Sequence, residues 1–168
     1  TYKELEELSN SFSAALVGMG VKKGDRVGLF MQNCPQFWIC FFGAQKVGAI
    51  SVFLNPMNKD KELEHYIKSV QMETIVAEHE LYPVVERIRD RTLLKNIFVT
   101  APKDFLPEEA TITLFPGMDG GKNDSYSEVH ELKETLTKYP SYAHETEIDV
   151  KKDPLFIVFT AGTTGLPK

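Results

Sequence analysis

From Thr1 to Thr100, short apolar runs alternate with stretches whose apolar residues recur every three or four positions, and this alternation constrains the fold more than any other feature. Thr1 and Glu4 have capping-box spacing, with hydroxyl and carboxylate each meeting an orphan amide at a helix start. Leu5, Leu8, Phe12, Ala15, Leu16 and Met19 then mark one face of a helix over Tyr2–Met19, and Gly20 suits the position just past its end. Arg26–Met31 is short and mostly apolar, as a buried strand should be. Pro35 opens a second helix after Asn33. Its Phe37, Trp38, Phe41, Phe42, Ala44 and Val47 surround the axis, which predicts burial on more than one side. These aromatics are read as core rather than as an acyl groove.

The pattern repeats. Gly48 closes the second helix, Ala49–Leu54 reads as a strand, and Asn58 is expected to cap a helix bearing Leu63, Tyr66, Ile67 and Val70. Thr74–Ala77 is a strand, Leu81, Val84, Val85 and Ile88 mark a helix, and Asn96–Thr100 is a further strand. Strands alternating with helices form βαβ units, so the expected fold is α/β: doubly wound, with a mainly parallel sheet and helices on both faces. The organisation expected is a regular α/β part over 1–100, an acidic connector over 101–153, and a strand plus loop over 154–168, together the N-terminal portion of a larger domain. The connector holds six lysines against twelve acidic residues, enough to account for the chain's net charge of −5. It reads as a solvated excursion, with one helix over Ser127–Leu136.

Composition excludes several functions. An acidic chain with 42% apolar residues and no long apolar run is neither a general nucleic-acid binder nor a membrane-spanning segment. Cys34 and Cys40 match no zinc or disulfide framework, which fits a reducing, cytoplasmic setting; they read as a helix-boundary thiol and a core thiol. His65, His79, His130 and His144 lack metal-ligand spacing and read as surface or helix-end residues. Arg87, Arg89 and Arg91 cannot all share one helix face as a phosphate clamp.

The chemistry concentrates at the last strand. Leu155–Phe159 is wholly apolar, which predicts a central, buried strand, and it runs directly into Thr160, Ala161, Gly162, Thr163, Thr164, Gly165, Leu166, Pro167 and Lys168. Loops at the carboxyl ends of parallel strands are where open α/β sheets bind ligands. Two glycines three apart let successive amides form an anion-binding concavity, three threonines add hydroxyl donors, and Lys168 adds positive charge. Those properties suit a polyphosphate. The spacing is not that of the P-loop, in which four residues separate the glycines and Lys follows the second directly. A Gly-rich turn without a ligand is the bland alternative, and it accounts for less of the combination.

This loop resembles the signature loop of the adenylate-forming (AMP-binding) superfamily, which includes acyl-CoA synthetases. The likeness extends through Thr1-Tyr2-Lys3-Glu4-Leu5, Gly24-Asp25-Arg26-Val27, Asn33-Cys34-Pro35-Gln36-Phe37 and Gly43–Ala49. Asn55-Pro56 followed by Glu62-Leu63 is similar to the acyl-CoA synthetase branch, including long-chain fatty-acid–CoA ligases. The resemblance implies a ligase that uses ATP and Mg2+ to convert a carboxylic acid, plausibly a fatty acid, to an acyl-adenylate and then a thioester of coenzyme A. It implies that Thr160, Gly162, Thr163, Thr164 and Gly165 wrap the β- and γ-phosphates while Lys168 neutralises them. Where relatives often carry Ser, Ala161 offers only its backbone amide.

The family's adenine-binding, magnesium-binding, acyl-binding and catalytic residues are expected downstream of Lys168. The partners expected are therefore small molecules and the remainder of the chain itself, with residues 1–168 inactive alone. The full-length protein is expected to be cytoplasmic or peripheral to a membrane. Two non-enzymatic alternatives remain at this point, a nucleotide-phosphate-binding module and a structural α/β module. An uncovered sheet edge would also favour self-association.

Overall fold

The computed structural model describes residues 1–106, 126–141 and 146–160. Six strands form one sheet: β1 (Arg26–Phe30), β2 (Ile50–Leu54), β3 (Thr74–Glu78), β4 (Asn96–Thr100), β5 (His130–Glu131) and β6 (Phe156–Val158). Their order is β5-β4-β3-β1-β2-β6, and every neighbouring pair is parallel. The helices are α1 (Tyr2–Gly18), α2 (Pro35–Lys46), α3 (Asp60–Ser69), α4 (Tyr82–Ile88) and α5 (Leu132–Lys138).

Strand alternation sorts the core into two layers. Val27, Leu29, Val76 and Phe98 face one side with Phe12 and Leu16 of α1, Ile39, Cys40 and Ala44 of α2, and Leu132 and Leu136 of α5. Phe30, Val52, Leu54, Ile75, Ala77, Ile97 and Val99 face the other with Leu63 and Ile67 of α3 and Val85 and Ile88 of α4. The doubly wound α/β sheet with helices on both faces is therefore present.

Local chemistry explains the element ends. The Thr1 hydroxyl accepts from the Glu4 amide at 3.2 Å while the Glu4 carboxylate accepts from the Thr1 ammonium at 2.6 Å, completing the expected capping box. Gly20 lies just past α1 at φ +84°, a conformation that costs a side-chain-bearing residue 1–2 kcal/mol or so. The Arg26 guanidinium donates to the carbonyls of Val70 and Gln71, covering the carboxyl end of α3 from the start of β1.

Five expectations change. Asn58 does not cap α3; Lys59 does, and its amide donates to the Glu62 carboxylate at 2.7 Å. The second helix is buried on two sides, by α1 and by the sheet, but two of its aromatics read as core are not: Trp38 stays 51% exposed and Phe42 39%, because they face away from both. Ser127–Leu136 is not one helix; His130 and Glu131 extend the sheet and the helix begins at Leu132. Since Leu132 and Leu136 enter the core, this stretch of the acidic segment is not a solvated excursion. The terminal strand β6, expected to be central and buried, lies at the edge of the sheet formed by the described residues. It pairs with β2 alone among the described residues, leaving Phe156 48% and Val158 53% exposed.

Among the described residues no helix is long and apolar enough to cross a membrane.

Candidate functional site

The chain reverses its direction of winding after β2, so β3 returns to the far side of β1. In open α/β sheets, ligands bind beyond the carboxyl ends of strands, commonly at such a switch point. Here that position is bridged from within. Glu78, the last residue of β3, is buried and accepts from the Gln32 amide at 2.6 Å. Gln36, fully buried in the first turn of α2, donates to the Ala101 carbonyl beyond β4 at 2.7 Å. Burial pushes the Glu78 carboxyl above its usual pKa, and the Gln32 amide only partly offsets this.

An open cleft lies one strand over, beyond the carboxyl ends of β1, β2 and β6. It measures about 460 Å³, and its lining includes Met31, Phe37, Phe53, Tyr66, Val158 and Phe159, with Asn33, Asn55 and Asn58 as polar members. Behind β2 the chain turns through Asn55-Pro56, where the Asn55 side-chain carbonyl accepts from the Met57 amide at 2.9 Å and its backbone carbonyl from the Asn58 amide at 2.9 Å. The buried Oδ1 of Asn58 has no hydrogen-bond partner among the described residues. Phe159 stacks on Tyr66 at 4.0 Å between ring centroids, which fixes the chain immediately before Thr160.

The approach of β6 is fixed as well. Gln45 of α2 donates to Ser51 Oγ and to the Leu155 carbonyl, each at 3.0 Å, tying α2, β2 and β6 together. Lys23 pairs with Asp153 at 2.6 Å, and that ammonium holds the Asp153 carboxyl below the usual carboxylate range.

Of the expected phosphate-contacting residues, Thr160 follows β6 at the carboxyl edge of the sheet, next to the cleft. Ala161, Gly162, Thr163, Thr164, Gly165 and Lys168 lie outside the described residues. Arg87 meets Asp60, Arg91 meets Glu64 and Arg89 meets Glu128, each within 2.8–2.9 Å, so all three are committed to carboxylates. Cys34 starts α2 with its thiol pushed up to about 11 by burial, and Cys40 is fully buried. His79 is a correction: it is buried beneath Tyr126 and lies 3.0 Å from Glu131 of β5, across the end of β4.

Glu78 and Gln36 were not singled out from sequence. A charged residue ending the strand-like run Thr74–Ala77 is the available signal for Glu78; Gln36 is marked only as a member of the family-like run Asn33–Phe37, which assigns it no role. Among the described residues no three His, Cys, Asp or Glu side chains converge as a metal site.

Comparison with known proteins agrees with this fold. A long-chain-fatty-acid–CoA ligase from Bacillus subtilis (strain 168) is 29% identical over all of this chain, which corresponds to 31% of that protein. The structure of an anthranilate CoA ligase, AuaEII, in complex with anthranoyl-AMP superposes with a TM-score of 0.81 at 24% identity, covering 99% of this chain and 28% of that one. The inhibitor-bound N-terminal domain of FACL13 from Mycobacterium tuberculosis superposes with a TM-score of 0.72 at 26% identity, covering 100% of this chain and 36% of that one. The chain thus spans about a third of the length of the proteins it resembles. The family model described as AMP-binding enzyme matches residues 1–168, so the chain belongs to the AMP-binding enzyme family.

Proposed function

We propose that this chain is the N-terminal part of an ATP-dependent acyl-CoA synthetase that activates a carboxylic acid, with a fatty acid as the favoured class. The observation that carries this reading is Thr160, which opens the Gly/Thr/Lys run at the carboxyl end of a parallel strand, directly beside an open and largely apolar cleft.

A carboxylate oxygen of the substrate attacks the α-phosphorus of ATP, and the bond to the β-phosphate bridging oxygen breaks with its electrons leaving on pyrophosphate. That departure needs charge stabilisation more than proton transfer. The hydroxyls of Thr160, Thr163 and Thr164 and the backbone amides from Ala161 to Gly165 donate to the β- and γ-phosphates, while the Lys168 ammonium offsets their charge. Their role is to make pyrophosphate a better leaving group and to orient the α-phosphate in line with the acid. The thiol of coenzyme A then displaces AMP to give the thioester. Mg2+ supplies further charge neutralisation when bound; no described residue is assigned to it.

The Asn55-Pro56 turn after β2 and Phe159, stacked on Tyr66, both line the cleft, so the acid would be received beside Thr160, where the phosphate-binding run begins. The experiment is product analysis with the full-length protein. Incubation with ATP, Mg2+, coenzyme A and a panel of aliphatic and aryl acids should release AMP with one acyl-CoA thioester per turnover. Release of ADP, or thioester formation without nucleotide cleavage, contradicts the proposal. Residues 1–168 alone should form neither product.

A further inference from the structure

Among the described residues that line the cleft beyond β1, β2 and β6, none carries a charged side chain. An ionised carboxylate loses solvation against such walls and finds no partner in them. The tail of an acid fits better. Met31, Phe37, Phe53 and the stacked Tyr66 and Phe159 offer it apolar surface, and about 460 Å³ lies within the range of small-molecule sites.

One polar atom interrupts this lining from a buried position. Asn58 Oδ1 is shielded from solvent and has no hydrogen-bond partner among the described residues. The two local ways in which an asparagine here would satisfy its side chain are both closed. Helix α3 takes Lys59 as its N-cap, which leaves Asn58 one residue too early to meet the orphan amides. The turn after β2 is already closed by Asn55, whose side-chain oxygen accepts from the Met57 amide and whose carbonyl accepts from the Asn58 amide, each at 2.9 Å. Those bonds fix the Asn58 backbone and leave its side-chain oxygen unused. A buried acceptor without a donor destabilises a fold, and native proteins keep few of them. On the wall of a ligand-sized cleft, such an acceptor is satisfied by a donor that the ligand brings.

We infer that Asn58 is a specificity-determining residue and that the acid received in this cleft carries a hydroxyl group on its tail, which donates to Asn58 Oδ1. The donor is neutral because an ammonium would meet no carboxylate in the lining. A site built around such an acceptor rejects an analogue that lacks the donor, since the buried oxygen is then left unpaired. This deepens the synthetase reading and rests on it for the identity of the ligand as an acid.

The test uses the full-length protein and measures acid binding by isothermal titration calorimetry, with neither nucleotide nor coenzyme A present. The probes are decanoate and hydroxydecanoates with the hydroxyl moved along the chain, beside benzoate and the monohydroxybenzoates. At least one hydroxy acid should bind about tenfold more tightly than its unsubstituted parent. In Asn58→Leu, close in volume but without an acceptor, that preference should shrink to about twofold or less. Asn58→Ala repeats the measurement in case leucine disturbs the turn. Equal binding of hydroxylated and unsubstituted acids by the unmodified protein overturns the inference, because water would then serve as the donor. A preference that survives both substitutions, or no binding of any probe, overturns it as well. AMP release reads the synthetase assignment separately. A hydroxyl preference that depends on Asn58 in a protein releasing no AMP upholds the inference and removes that assignment; thioester formation without a hydroxyl preference does the reverse.

Discussion

Glu78 shows how one residue at a strand end carries a measurable consequence. Its carboxyl is buried, so its folded pKa lies above the unfolded value. A raised carboxylate contributes stability that is fully present below the unfolded pKa and is lost as pH rises through the folded one. Glu78→Gln keeps an oxygen to accept the Gln32 amide and removes the charge. Thermal denaturation of both proteins from about pH 4 to about pH 7.5 should show the variant gaining on the wild type as pH rises. A gap independent of pH contradicts the burial of an ionisable group there. Asp153 has the opposite sign: Lys23 lowers its pKa, so its contribution is lost as pH falls through the carboxylate range. Of these, Glu78 was visible in sequence only as a charge after an apolar run. Its pairing with Gln32 joins residues 46 positions apart, and no local pattern specifies that.

Elements were legible where their signal is local. The capping box at Thr1 and Glu4, the proline opening α2 and the period of α3 all depend on residues within one or two turns, and the helices follow them. What failed was neighbourhood. The apolar run of β6 resembles those of β1 and β3, yet among the described residues β6 lies at the edge of the sheet, because strand order is a property of the whole sheet. The packing of α1 on α2 illustrates a constraint of the same non-local kind. A Cβ at Gly43 would sit 2.9 Å from the Ser9 carbonyl oxygen and 2.7 Å from Phe12, closer than real contacts permit. Gly43→Ala should therefore cost about 1–3 kcal/mol through overpacking, measured by denaturant unfolding. Phe12→Ala, which opens a cavity between the same helices and the sheet, should cost about 3–5 kcal/mol. Gly43→Ala without loss of stability would show that the two helices are not held this close.

For the whole molecule, the acidic, breaker-rich segment showed a helix but hid β5 and the docking of α5 on the core: both return to the sheet through His130, Glu131, Leu132 and Leu136, too few apolar positions to mark packing. The loop expected to hold phosphates was legible as a motif, and Thr160 marks where it begins on the fold. Among the described residues β6 has no partner on its outer edge, and Trp38, Phe42, Phe156 and Val158 are exposed, so residues 1–168 are expected to self-associate when isolated. Sedimentation of that chain should give oligomers, and a monodisperse, reversible monomer contradicts this.

Acid-dependent exchange of labelled pyrophosphate into ATP by the full-length protein bears most directly on the phosphate loop, because it reads adenylation before coenzyme A is needed. The unmodified protein should exchange, and Thr164→Ala or Lys168→Ala should lower the rate by about 10²–10³-fold with the fold intact by circular dichroism. Exchange at the unmodified rate in both variants would remove Thr160–Lys168 from the chemistry.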